Sequence, residues 1–309
     1  MGFLFEGFTL ITLLIFIAVV ASLVLLNELT RRSRLASIAL YGILPIVIVV
    51  LYLLKVVKTP SGESWFGIVK TYSALVGVWG FMLIRFTKLG KTKFTFYFPI
   101  LILAINIIEA IIREFEVFST YKTLTIDATN VALLGGSWNI LNSIAGILLM
   151  LTLTGWMGIK ISKDKSKDMV WPDQLWFWII AYDLWNLSYC YNCISTRSMY
   201  AGLALLVSCT LCEFVFKKGV WLQHRAQTLA LFGMFSLLID YQSSELFSIV
   251  SSNKEEAWLI LAIISLLFNL GVFVYEIFVI TKYKKNPLKE EVFTHLKSYN
   301  DNLKVNKLN

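Results

Sequence analysis

The residue of this sequence best placed to do chemistry is an aspartate in the middle of an apolar segment. Asp183 lies near the centre of residues 171–193, WPDQLWFWIIAYDLWNLSYCYNC, and helical spacing puts Trp176 and Asn186 on the same stripe. An ionisable side chain at such a depth costs about 2.5–3.5 kcal/mol to insert into a membrane. This carboxyl group is therefore a candidate to bind a cation or an amine, or to relay a proton. The alternative is an aspartate that hydrogen bonds to a neighbouring helix purely for assembly.

A second polar group lies around a short turn further along the chain. Glu213 comes near the end of one apolar segment, and the next segment begins with a polar half that holds His224, Arg225 and Gln227. The apolar half that remains is too short to span a bilayer, so the polar half must be buried in protein or line water. Similar depth predicts an ion pair between Glu213 and Arg225. His224 and Gln227 are then expected to face a pocket.

A third polar group lies toward the other ends of these segments. Glu109 shares a helical stripe with Asn106 and Arg113, and Asn139 and Asn142 share another. Together with Asn186 they are predicted to line an outward-facing vestibule. The alternative is that each side chain serves helix association, which typically contributes less than about 1 kcal/mol.

The four cysteines form two C-x2-C pairs, at positions 190/193 and 209/212. In a soluble protein this spacing is typical of a zinc site. Here the second pair is expected about ten residues deeper along its helix than the first, which is roughly 15 Å at 1.5 Å per residue. Four ligands that far apart cannot share one tetrahedral metal ion. We therefore predict free, packed thiols and no metal.

The elements that must position these residues are membrane-spanning helices. The chain has 309 residues, 57% apolar and only 16% charged, with a mean hydropathy of +0.70, whereas soluble domains average about 25% charged residues. Apolar segments of about 20 residues recur along the chain, each long enough to cross a hydrocarbon core of about 30 Å. The sequence predicts an all-α, polytopic transmembrane bundle. The nine predicted spans are Phe8–Leu26, Leu35–Leu54, Trp65–Ile84, Phe94–Ile112, Val131–Ile159, Pro172–Cys193, Met199–Phe216, Gly219–Tyr241 and Ala257–Ile280.

The orientation follows from the basic residues between these spans. Seventeen Lys and Arg residues fall in one set of alternate loops and seven in the other. Since basic residues accumulate on the cytoplasmic side, the N-terminus is predicted outside and the C-terminus inside. The net charge of +8 then indicates attraction to anionic lipid headgroups on the cytoplasmic face, and not nucleic-acid binding.

Two regions are predicted. Residues 1–280 form a single transmembrane bundle, and residues 281–309 form a cytoplasmic tail. Within the tail, Leu288, Val292, Phe293, Leu296 and Tyr299 recur at roughly helical spacing, which predicts a short amphipathic helix on the inner leaflet. A weak soluble helix and a disordered tail are the alternatives.

Several functions are excluded by what the sequence lacks. It has no Walker loop, no HExxH, no G-x-S-x-G and no Rossmann glycine pattern. Only two histidines are present, His224 and His295, so paired-histidine haem ligation is excluded. ATP-driven transport by this chain alone is also excluded, and no cofactor is expected.

The stretch from Trp171 to Tyr241 resembles an uncharacterised family of multi-pass bacterial membrane proteins, a domain of unknown function. The resemblance is carried by WPDQLWFWIIAYDLWN and KKGVWLQHRAQTLAL. It implies no activity and no ligand. It marks the sixth to eighth predicted spans as the distinctive part of the chain.

Three functions remain, from different classes. The first is a secondary transporter or channel-like permease of the bacterial plasma membrane for a small polar or cationic solute, with proton coupling through Asp183. The second is an intramembrane enzyme on a lipid-linked or acyl substrate, with His224 as general base. The third is a sensor or scaffold whose polar groups only join helices. A polar route through the protein favours the first, a lateral cavity at His224 the second, and a dry core with every polar group paired the third.

Overall fold

The computed structural model describes residues 2–63, 65–127 and 130–308, and the chain is 71% helical with almost no sheet. Six of its helices are long and apolar enough to cross a membrane. The prediction of an all-α membrane protein is confirmed to that extent.

Within the described residues each predicted span contains one long helix, a tenth helix lies in the tail, and a four-residue helix, Pro60–Glu63, precedes the third of the long helices. The helices are α1 (Leu10–Arg32), α2 (Arg34–Leu53), α3 (Trp65–Phe86), α4 (Tyr97–Thr120), α5 (Ser137–Leu151), α6 (Trp176–Cys193), α7 (Ser195–Phe216), α8 (Trp221–Leu238), α9 (Glu255–Tyr283) and α10 (Lys297–Val305). The six that satisfy the length and hydropathy of a membrane span are α1, α2, α3, α4, α7 and α9. The other three spans correspond to α5, α6 and α8, which are shorter or more polar.

The fifth predicted span, Val131–Ile159, is too long for one crossing, and its start at residues 130–138 is open between a loop and a segment tilted into the membrane. The structure places a helix of only 15 residues within it, α5, and residues 134–136 before that helix are not helical. Gly136 precedes the helix in an extended conformation. After the helix, Gly155 adopts a φ of +63°, a left-handed conformation that glycine accepts readily. These backbone features end the helix inside a stretch whose apolar composition continues.

The polar helices α6 and α8 lie inside the bundle. Most of their side chains are buried, whereas α1, α2 and α9 carry long rows of exposed apolar side chains. Helix α6 packs against α5 and α9, and α8 packs against α3, α7 and α1. A helix enclosed by other helices need not be apolar, because its neighbours satisfy its polar groups.

Three two-stranded sheets lie in the connections of the described residues. One joins the start of the chain to the α8–α9 connection, and the other two are hairpins within the α4–α5 and α5–α6 connections. Strand β1 (Phe5–Glu6) pairs with β6 (Val250–Ser251), β2 (Thr125–Ile126) with β3 (Ala132–Leu133), and β4 (Lys160–Ile161) with β5 (Met169–Val170), all antiparallel. The β4–β5 hairpin contacts the ends of α1, α3 and α7 through ion pairs with Arg31, Arg85 and Lys217. We call this end the basic face.

The tail packs on the basic face. The backbone N–H groups of Val292 and Phe293 donate to the carboxylate of Asp173 at 3.0 and 2.8 Å. Helix α10 buries Tyr299, and the Asn302 amide donates to the carbonyl of Pro172 at 3.2 Å. The helix predicted from Leu288 to Tyr299 is not formed as such, because residues 284–296 are not helical and α10 begins only at Lys297. Of the five apolar residues that predicted it, Tyr299 alone lies on α10, and its buried side contacts protein.

Two membrane helices contain π-helical turns. They occur at Ile38–Ile43 in α2 and at Ser198–Ala204 and Cys212–Phe216 in α7. Each π turn adds a residue to the helical repeat, and such turns are frequent at functional sites. In α7 they lie on either side of the residues that face Asp183.

Candidate functional site

The best candidate site lies where α6, α7 and α8 meet in the middle of the bundle. The Thr210 hydroxyl donates to Asp183 Oδ2 at 2.6 Å, and the Trp221 indole N–H donates to Thr210 Oγ1 at 3.3 Å. One turn further along α6 and α8, Arg225 Nη2 donates to Asn186 Oδ1 at 3.2 Å. We call these five residues the Asp183–Arg225 site.

Both charged side chains of the site have atoms without a hydrogen-bond partner among the described residues. Arg225 is only 7% exposed, yet its Nε and Nη1 atoms have no hydrogen-bond partner within the described part of the chain. The Oδ1 atom of Asp183 is buried and equally unpartnered. The two charges influence each other electrostatically but do not form an ion pair. A buried guanidinium without a carboxylate is costly, because desolvation is not offset by a counter-charge.

Aromatic rings enclose the site. The rings of Tyr182 and Trp221 meet edge to face, with centroids 4.7 Å apart, and Trp178 stacks on Tyr182 at 5.7 Å. These rings exclude water, which strengthens any electrostatic interaction with a charge that enters.

A second polar cluster, at the basic face, is held mainly by protein contacts, although Nη1 of Arg85 has no partner among the described residues. Asp168 is completely buried and accepts from Arg31 Nη1 at 2.7 Å and from Gln223 Nε2 at 3.1 Å. Arg85 lies 3.5 Å from the same carboxylate and also donates to the carbonyl of Arg31 at 2.7 Å. This cluster ties α1, α3, α8 and the β4–β5 hairpin together, so its role is structural.

Asp164 of the same hairpin forms a partly buried ion pair with Lys217. Burial alone would raise the pKa of the Asp164 carboxyl. Hydrogen bonds from Lys217, Ser166 and Ser162 outweigh that effect and hold the pKa well below its usual range. The Asp164 carboxylate therefore stays ionised and keeps the hairpin attached to the end of α7.

One trio of side chains has the composition of a metal site. Ligand atoms of Glu28, Cys212 and His224 lie within 4.8 Å of one another, and all three residues are buried. However, both carboxylate oxygens of Glu28 accept from Arg31, at 2.8 and 2.7 Å. A carboxylate already neutralised by a guanidinium is a poor ligand for a cation. We assign this trio to helix packing.

A buried acid that sequence analysis missed organises the other half of the bundle. Glu114 is completely buried and accepts from Asn139 at 2.6 Å, Asn142 at 2.7 Å and Asn192 at 3.1 Å. Asn142 also accepts from Ser265 at 2.8 Å. The signal was present, because Glu114 continues the buried stripe of α4 that otherwise contains only apolar residues.

The predicted vestibule is not formed by the residues expected to line it. Asn139 and Asn142 are buried around Glu114. Glu109 is half exposed and pairs with Lys70 at 2.9 Å, and Arg113 pairs with Glu116 on its own helix. Asn106 donates to a carbonyl of its own helix. The contacts of Glu109, Asn139 and Asn142 join helices, as the alternative interpretation expects, whereas those of Asn106 and Arg113 stay within α4.

Of the remaining predicted site residues, only Asn186 joins Asp183 and Arg225. The predicted Glu213–Arg225 ion pair is wrong, because Glu213 accepts the backbone N–H groups of Gly219 and Val220 and so caps the start of α8. His224 lies at the basic face, 2.8 Å from Asn27 Nδ2. Trp176 is 56% exposed at the start of α6, away from the site.

Gln227 and the four cysteines are also buried in the core. Gln227 is buried, and its Oε1 atom has no partner among the residues the structure describes. All four cysteines are free and buried, which confirms the prediction of packed thiols. Cys190 contacts the site through Asn186, whose Oδ1 it approaches at 3.8 Å.

Six helices long and apolar enough to cross a membrane, together with a buried polar site between α6, α7 and α8, are typical of a helical membrane protein. The chain belongs to the DUF5692 family, a family of unknown function, whose model matches residues 6–305. The resemblance drawn from residues 171–241 is thus confirmed, and it extends over nearly the whole sequence. Neither the curated proteins nor the solved structures contain a match.

Proposed function

We propose that this protein is a secondary transporter or channel-like permease for a small polar solute, bound at the Asp183–Arg225 site. The observation that carries the proposal is the pair of buried, incompletely satisfied charges on adjacent turns of α6 and α8. The ammonium group of a solute would donate to the unpartnered oxygen of Asp183. If the solute also carries an anionic group, that group would accept from the unpartnered nitrogens of Arg225.

The contrast with the rest of the core supports a site over an assembly contact. Asp168 and Glu114 are each held by three or more side-chain donors. Asp168 and Glu114 join helices, and several donors surround each of them. Within the described residues, Asp183 accepts a side-chain hydrogen bond from Thr210 alone, and no carboxylate forms an ion pair with Arg225. Unsatisfied buried charges are expected where a ligand supplies the missing partner.

The contacts of His224 disfavour an intramembrane enzyme in which this histidine is the general base. His224 is completely buried. Its Nδ1 atom accepts from Asn27, and its Nε2 atom lies 3.3 Å from the carbonyl of Lys217. A ring with both nitrogens engaged has none left to take a proton from a substrate.

We further propose nine membrane crossings in a plasma membrane, with the N-terminus outside and the C-terminus inside. The contacts between connections support nine. The α1–α2, α3–α4, α5–α6 and α7–α8 connections meet at the basic face with the tail, while the start of the chain pairs with the α8–α9 connection. Helices α6 and α8 have 18 residues each, a length of about 27 Å that nearly equals the hydrocarbon core.

Cysteine labelling tests this topology. Single cysteines at Glu63 and Lys285, each compared with the parent chain, should react with a membrane-impermeant maleimide from opposite sides of the membrane. Glu63 should react from outside and Lys285 only after permeabilisation. Reaction of both positions from the same side would contradict nine crossings.

Solute binding to the purified protein tests the proposed site. We expect at least one ammonium-bearing probe among choline, putrescine, glycine and γ-aminobutyrate to raise the Tm in detergent. At one hundred times its Kd, such a ligand stabilises the folded protein by about 2.7 kcal/mol. Asp183→Asn, which keeps the shape but removes the charge, should abolish the shift.

Asp240→Asn is the matched control, because Asp240 bonds only to Ser243 near the end of α8. It should keep the ligand-induced shift. A probe that stabilises wild type and Asp183→Asn equally would place binding elsewhere and would refute the site.

A further inference from the structure

A groove of about 630 Å³ opens on the outer surface of the bundle, between α9, the start of α6 and the start of α10. Its floor is the stripe Leu267, Gly271 and Tyr275 of α9, and its wall is Phe177. The stripe rises about 12 Å along the helix. That length is close to one leaflet of a hydrocarbon core, about 15 Å.

The groove is open at Gly271 because this residue has no side chain, and no neighbouring helix of the described chain packs closely against it. A Cβ atom built at this position meets no atom within 4 Å. By contrast, a Cβ at Gly146 or Gly202 would lie within 3 Å of a neighbouring side chain. The missing side chain at Gly271 therefore leaves open space on a surface that otherwise carries large apolar residues.

A lysine lies at the end of the groove that is closest to the basic face. The tail reaches this end, because Phe293 packs on Phe177 and Tyr275 with ring centroids 5.2 and 6.1 Å away. Lys297 follows on the groove lining and is exposed. The ion pairs of the tail join Lys160 to Glu291 and Lys285 to Glu290, and Lys297 belongs to neither.

We infer that this groove binds one anionic phospholipid, with an acyl chain along Leu267, Gly271 and Tyr275 and the phosphate at Lys297. An apolar channel of leaflet depth that ends at an ammonium group matches the two parts of such a lipid. A purely apolar ligand would leave Lys297 unused, and a partner helix, 10–12 Å across, would contact α9 over barely two turns. The inference concerns a different surface from the Asp183–Arg225 site and does not depend on it.

Lipid titration followed by native mass spectrometry tests the inference on the full chain in detergent. Phosphatidylglycerol and phosphatidylcholine with identical acyl chains are the probes. We expect one tightly held phosphatidylglycerol per chain, bound about fivefold more tightly than phosphatidylcholine, the preference that one near-surface lysine supplies. Lys297→Gln should remove the preference, and Lys304→Gln, on the same helix but away from the groove, should keep it.

Gly271→Leu tests whether the acyl chain of the lipid lies in the groove. The added Cβ atom meets nothing within 4 Å and the leucine side chain takes up space in the groove, so this variant should abolish tight binding of both lipids. Gly42→Leu in α2, where an added Cβ makes only an ordinary contact with Ile38, should not. Equal binding of the two lipids to wild type, or tight binding that survives Gly271→Leu, would overturn the inference. Lys297 is exposed, so Lys297→Gln keeps the headgroup test valid even if Gly271→Leu folds poorly.

Discussion

Asp168→Ala should lower the free energy of unfolding by about 3–5 kcal/mol, the range for removing one partner of a buried ion pair. The carboxylate is completely buried between Arg31 and Arg85, so its removal leaves two guanidinium groups without their shared counter-charge. It also frees Gln223, which connects α8 to the hairpin. Equilibrium unfolding in mixed detergent micelles would measure the loss.

Asp164→Ala is the matched control in the same hairpin. Asp164 pairs with Lys217 at the partly buried edge of the hairpin and has one cation as partner, whereas Asp168 is completely buried between two guanidinium groups. We therefore expect Asp164→Ala to cost clearly less stability than Asp168→Ala. Equal and small losses would mean that the basic-face cluster is not a structural centre.

Arg225→Met should have the opposite effect on stability. Each unpartnered buried donor costs about 1–3 kcal/mol, and methionine removes the two unpartnered nitrogens while filling similar space. We therefore expect the Tm of the ligand-free protein to stay equal or rise. The same variant should lose the ligand-induced shift wherever the ligand carries an anionic group. A gain in stability at the expense of function is typical of a binding site.

Arg85→Met provides the comparison, because Arg85 is equally buried but bonds to Asp168 and to three backbone carbonyls. It should be clearly destabilised. If both variants lose similar stability, Arg225 is a structural residue and the scaffold interpretation is favoured.

The sequence predicted the helices well because apolar length is a local property. The nine predicted spans each contain a helix, and Ser33, which ends α1 and caps α2, lies between the first two spans as expected. The bounds of α5 could not be predicted, because the break at Gly155 is set by a backbone conformation, and its apolar surroundings continue. Nor could sequence alone show that α6 and α8 are enclosed by the others.

The site was predicted in part. Asp183 and Asn186 are on one stripe of a regular α-helix, so their relation followed from helical spacing. Glu213 lies in a π-helical turn, where the wider repeat rotates side chains away from the positions that 3.6 residues per turn gives. Its partners are backbone N–H groups of the following turn, and no residue pattern marks them. The pairing of Arg225 with Asn186 depends on tertiary packing, which the chain order does not specify.

Solute uptake into proteoliposomes is the most direct test of the account, because a binding site in a permease must also move its ligand. The probe that stabilises the detergent-solubilised protein, in radiolabelled form, should accumulate in vesicles with wild-type protein and with Asp240→Asn, at rates that depend on an imposed pH gradient. Asp183→Asn should reduce this uptake to the level of protein-free vesicles. Uptake that is equal in wild-type and Asp183→Asn vesicles, or absent from wild-type vesicles for every probe that binds, would contradict it.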